Sequence, residues 1–343
     1  MGTIKLRSDA HLQPWSISGE SVLGITGNLK RLFGFGSKAE TRQSAPKEEG
    51  GPTDSVTLAT PEPKPAIIRR KATGIAAEYR DNFDFQDDMK ALAQKHPEHV
   101  KLFELGKSVQ GRVISGMSIG TGPIGLVVTG MMHGCEWTGG EAAFELGKKI
   151  AEQRPDLMDK MTLHVVPVSN PDAQEVSRGV LHGYRANVNG VDPNRNWPTN
   201  WGTNEITPQK FCHEIGGTGE APLSEPETQA INKLTGEEYK TKGWLDLHSY
   251  GEFFVHPKSE RPEKYEALIA DMQKTTSKPY DSMKIQDHQD ITGSLAEHCE
   301  SLGIIAVGAE LGTKHQPKGE EREATVQDGV NLGMAFVEHL AKS

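Results

Sequence analysis

His133 and Glu136 stand three residues apart in GMMHGCEWTGG. That spacing lets an imidazole and a carboxylate reach one cation from a single loop or helical turn. In a chain with 13 His such a pair arises by chance about once, so its weight comes from its surroundings. It follows directly on the apolar run IGLVVTG, precedes a predicted helix, and has glycines at 130, 134, 139 and 140 around it. His248 closes the apolar segment WLDL, and Glu310 closes IIAVGA. Four residues able to bind metal or move protons therefore fall at the carboxyl ends of predicted strands, where open α/β sheets hold their ligands. A His or Glu buried there needs a partner. Two His and one carboxylate, with a position left for water, make the donor set of a catalytic rather than a structural zinc site. A further carboxylate outside the metal shell would act as general base on that water, and Glu310 is the candidate.

The elements that must position these residues alternate strand and helix. A helix is predicted from about Phe83 to Lys95, then strands at 100–105, 113–119 and 124–130, the first two joined as a hairpin around Gln110 and Gly111. A second helix spans about Gly140 to Glu152, and a strand covers 161–168. Ser224-Glu225-Pro226-Glu227 reads as a capping box with Ser224 at the N-cap, opening a helix to about Leu234. Strands at 244–247 and 304–309 and a closing amphipathic helix from Ala324 to Leu340 complete the pattern. This predicts a single α/β domain, 74–343, with a mixed, mostly parallel central sheet flanked by helices. Before it, 1–73 is expected to be a disordered or targeting tail and linker, because 38–71 is dense in Pro, Glu, Lys and Ser with little to bury. His298 and Cys299 fall on a predicted helix as packing residues, and His164, His213 and His256 lack a ligand partner at useful spacing.

Composition removes several functions. Net charge is −9, and no compact Lys/Arg stripe offsets it, so nucleic acid is not an expected partner. The longest apolar run, about 124–132, is far short of the roughly 18 residues of a membrane helix. Cys135, Cys212 and Cys299 are too few and scattered for a disulfide framework, which suits a reducing compartment. Lys5, Arg7, Asp9 and His11 interrupt the start of the chain, so no signal peptide is read there and cytoplasm is the default expectation, with unconventional export left open.

The order HGCE, NPD, GVDPNRNWP, PLSEPET, LDLHSYG and AELG resembles the zinc carboxypeptidases of the carboxypeptidase A and B family, over about Gly74 to Ser343. The resemblance implies one Zn2+ per chain held by His133, Glu136 and His248, with Glu310 as the base. It implies that Asn194 and Arg195 grip the terminal carboxylate of a peptide substrate, a bidentate task suited to guanidinium. It further implies that Arg185 polarises the scissile carbonyl, although Arg178 lies close by, and that Asp192 orients a zinc-bound histidine from behind. Leu295, fifteen residues before Glu310, falls where the family has the floor of the pocket for the terminal side chain. An isobutyl group there implies a preference for apolar C-terminal residues. Two departures stand out. Cys135 occupies a position that is often Arg in the family, and His288 occupies that of a mobile tyrosine over the site. A cell-wall peptide amidase or carboxypeptidase of the same fold remains open as the alternative, as does a non-catalytic zinc-binding protein. A deacylase of acylated amino acids is disfavoured by NRNW and SEPE.

Overall fold

A computed structural model describes residues 69, 72–179, 183–202, 217–287 and 291–342. The predicted tail, 1–73, lies outside the described residues save 69, 72 and 73. Strands β1 (Val100–Lys107) and β2 (Val113–Ile119) form the predicted antiparallel hairpin. They are followed by β3 (Ile124–Gly130), β4 (Met161–Val166), β5 (Thr241–His248), β6 (Phe253–His256), β7 (Asp281–Lys284) and β8 (Ile305–Glu310). These make one sheet in the order β1-β2-β4-β3-β5-β8-β6-β7. The central pairs β4/β3, β3/β5 and β5/β8 are parallel, while β2/β4 and β6/β8 are antiparallel. The mixed α/β sheet expected from the sequence is therefore the observed one.

Central parallel strands are buried on both faces and so read as continuous apolar runs. Successive residues of β3 feed opposite layers, Leu126 and Val128 into one core and Val127 into the other. The first layer is covered by the helices Trp137–Gln153 and Gly319–Leu340, whose Phe144, Leu146, Leu332 and Phe336 are fully or almost fully buried. The second lies under Pro226–Asn232 and Leu295–Ser301, around Trp197, Trp244, Ile231 and Leu295. Cys299 is buried in it, as a packing residue should be.

Several boundaries differ from the sequence reading. The second helix begins at Trp137, three residues earlier, and the closing helix at Gly319. The expected capping box is not formed: Glu225 is the N-cap of Pro226–Asn232 and makes no side-chain cap bond. Ser224 Oγ donates instead to Glu225 Oε1 at 2.7 Å. Glu227 turns inward, where Val109 N and Asn187 Nδ2 each donate to it at 3.0 Å. A buried carboxylate gains more from two donors that would otherwise lack an acceptor than from a solvent-facing cap.

Candidate metal centre and active site

At the end of β3 the chain turns sharply through Met131, at φ 49°, and is pinned by Ser169 N donating to Gly130 O and Asn170 N to Met131 O. The first turn of the following helix lies against β5, close enough that a Cβ on Gly139 would stand 2.2 Å from Leu247 O. That contact draws the His133–Glu136 loop up to His248, the last residue of β5. His133 Nδ1 lies 2.8 Å from Glu136 Oε1, His248 Nδ1 lies 2.8 Å from Glu136 Oε2, and the two Nδ1 atoms are 3.2 Å apart. All three residues are at least 96% buried, at 1%, 1% and 4% exposure. Three Lewis-basic groups converging in so little water are the donor set that a divalent cation needs.

Each imidazole is braced from behind by a carboxylate. His133 Nε2 is 3.1 Å from Asp192 Oδ1, as expected, and His248 Nε2 is 2.7 Å from Asp246 Oδ2. Asp246 escaped the sequence reading, although the D-x-H spacing in LDLH puts both side chains on one face of a strand. It is itself held by Thr129 Oγ1 at 2.7 Å, which in turn accepts from Trp244 Nε1 at 2.9 Å. A donor nitrogen whose partner nitrogen is fixed by a carboxylate is what a metal-binding histidine requires, so these residues fit a zinc ion. The electrostatics agree. Burial alone would raise the Glu136 carboxyl, yet the flanking His133 and His248 hold it well below the usual range. Burial would lower His248, but Asp246 and Glu136 raise it well above the ordinary imidazole value.

Glu310 ends β8 and is the register partner of His248 on β5. Its carboxyl is pushed up to about 7, chiefly by burial and then by the charge of Glu136. Arg185 Nε donates to Asp192 Oδ2 at 2.8 Å, and its Nη1 lies 3.7 Å from Glu136 Oε1. Arg178 points elsewhere, donating to the carbonyls of Tyr79 and Arg80. Asn194 and Arg195 sit on a short turn opened by Asp192, whose side chain accepts from Asn194 N at 2.8 Å. Asn194 Oδ1 accepts from Leu295 N at 2.9 Å, tying that turn to the helix of Leu295.

A second residue set unseen in the sequence holds the Arg185–Asp192 loop from below. Asn187 Nδ2 donates to Glu225 Oε2 at 2.7 Å and to Glu227 Oε2 at 3.0 Å, while its Oδ1 accepts from Val191 N at 3.0 Å. The SEPE segment thus bears on the site through Asn187.

These groups open on a cavity of about 210 Å³. Its lining includes the polar residues His133, His248, Glu310, Arg185, Asn194 and Arg195 and the apolar residues Val255, Met283, Ile285, Ile291, Leu295 and Ala306. Nine of the ten site residues singled out in the sequence can be located. His288 lies outside the described residues.

The sequence profile of the Peptidase_M14 zinc carboxypeptidase family matches residues 85–310, and the chain belongs to that family, whose metal is zinc. It is 28% identical over 254 residues to the "Zinc carboxypeptidase A 1" of Drosophila melanogaster, covering 65% of this chain and 59% of the relative. It is also 28% identical over 221 residues to the "Carboxypeptidase A1" of Sus scrofa, covering 58% and 52%. The chain thus spans somewhat over half the length of these relatives. The crystal structure of carboxypeptidase A from Helicoverpa armigera shares the fold at a TM-score of 0.67 and 20% identity, over 79% of this chain and 75% of that one. No helix among the described residues is long and apolar enough to cross a membrane.

Proposed function

We propose that this protein is a zinc-dependent carboxypeptidase that removes apolar residues one at a time from the C-terminus of peptides. The observation that carries the reading is the cavity, whose lining brings two histidines, the base Glu310 and the guanidinium groups of Arg185 and Arg195 together with apolar side chains that include Leu295. Zinc held by His133 Nδ1, a Glu136 oxygen and His248 Nδ1 would acidify a water and polarise the scissile carbonyl. Glu310, in its deprotonated form, takes a proton from the attacking water. As the water oxygen bonds to the carbonyl carbon and the C–N bond breaks, Glu310 passes that proton to the leaving amine. Arg185, braced by Asp192, donates to the oxygen on which charge develops. Arg195 and Asn194 bind the free terminal carboxylate and so restrict cutting to the last peptide bond, with His288 as a further contact to it.

Leu295 and its apolar neighbours receive the terminal side chain. Burying a large apolar group is worth roughly 1.5–3 kcal/mol, about 10- to 150-fold in kcat/KM. The test compares peptides ending in Phe, Leu, Lys and Glu with the wild type and with Leu295→Asp. Phe and Leu should be released fastest by the wild type, and the variant should gain on Lys. Wild-type preference for Lys would refute the apolar recess, and an unchanged preference in the variant would remove Leu295 from it.

A further inference from the structure

Beside the His133–Glu136–His248 cluster stands another set of donors. Cys135 Sγ, a carboxylate oxygen of Glu136 and a ring nitrogen of His315 all lie within 4.8 Å of one another. Cys135 is fully buried and in no disulfide. Its carbonyl accepts from Gln316 Nε2, which ties the loop of His315 to that of Cys135. His315 Nδ1 is 2.7 Å from Ser249 O, a carbonyl that can only accept, so Nδ1 carries the proton and Nε2 keeps a lone pair for a cation. Thiolate, imidazole and carboxylate from two chain segments are a donor set for a soft or borderline divalent ion.

We propose that Cys135, Glu136 and His315 form a second cation site that takes a thiolate-binding divalent ion such as zinc or cadmium and shares Glu136 with the first. Binding there forms a metal–sulfur bond and releases the thiol proton to solvent. The site fills after the first one. Both histidines of the first cluster are braced by carboxylates, whereas His315 is held by one backbone carbonyl. An ion in the second site draws on a Glu136 oxygen that the first ion also uses, so it is held more weakly than the first. The inference rests on the first cluster being a metal site and is independent of peptide hydrolysis.

Cobalt(II) tests it, because a thiolate ligand gives a near-ultraviolet charge-transfer band that two histidines and a carboxylate do not. The full chain is stripped of metal and titrated with cobalt(II), with bound metal counted by elemental analysis. The wild type should show no band through the first equivalent, then a rising band as the count goes from one ion per chain to two. Cys135→Ser should keep the first ion and lose both the band and the second ion. His315→Gln leaves the buried Cys135 in place, should weaken the second ion alone, and supplies the readout if Cys135→Ser fails to fold. A single ion without a band, a band rising with the first equivalent, or a band that survives Cys135→Ser through Cys212 or Cys299 would each overturn the proposal. Binding of no ion at all would overturn the first site as well.

Discussion

Glu310 must be deprotonated to accept a proton from water, and its carboxyl stands at about 7, first through burial and then through Glu136. A dication at the ligands offsets the Glu136 charge and lowers that value. Activity should therefore be present above the Glu310 value and lost as pH falls through it, with the acid limb of kcat/KM at or below about 7. A limb centred well above 7 would mean that another group controls the rate. Glu310→Gln should keep its zinc, counted by elemental analysis, and lose roughly 10²- to 10⁴-fold in kcat/KM. For Asp246→Ala the expectation differs, since this carboxylate touches His248 and not the cation position. Its zinc affinity, measured against a competing chelator, should fall about 10- to 100-fold. The four residues of the first rank were legible because chemistry and strand ends coincided in the sequence. Asp246 was not, because one acid inside WLDL reads as an interruption of an apolar run until its strand period is used. Asn187 was invisible for another reason: its partners Glu225 and Glu227 lie more than 35 positions away.

The site depends on how closely the helix Trp137–Gln153 meets β5. Replacing Gly139 by Ala would drive a methyl to 2.2 Å from Leu247 O, one residue before His248. Backbone on one side and backbone on the other cannot both stay in place. The variant should lose about 1–3 kcal/mol of stability, read as a lower Tm, and bind zinc more weakly. Gly183→Ala, where an added Cβ meets nothing within 4 Å, serves as the control and should change neither. At this scale the central strands were readable, since β3, β5 and β8 are short apolar runs buried on both faces. The sheet edge was not. β7, DSMK, has three exposed residues of four, so neither alternation nor hydrophobicity marks it as a strand. The helix start was read late because Gly139 is a poor helix former, and close packing rather than propensity puts it in a helix.

For the molecule as a whole, three ligands on β5 and the β3–helix loop mean that a bound ion ties separate segments together and stabilises the folded chain by mass action. At free zinc of about 100 times Kd that is worth about 2.7 kcal/mol, or about 5–10 °C in Tm for a domain of this size. Calorimetry with and without a chelator checks it, and superimposable transitions would mean that the cluster holds no metal. HGCE, NPD, LDLHSYG and AELG made the architecture legible because each follows or closes a strand of the sheet. The depth and lining of the cavity were not, because Val255, Met283 and Ile285 come from segments with no chemical signature. The central claim is hydrolysis of the last peptide bond by the zinc-loaded protein. Mass spectrometry of a Phe-terminated peptide and its C-terminal amide, incubated with zinc-loaded and chelated protein, tests that claim most directly. A single Phe should be lost from the free acid only, with the loss abolished by chelation and restored by zinc. Internal cleavage, equal cutting of the amide, or no cutting by protein shown to carry one zinc would contradict the claim.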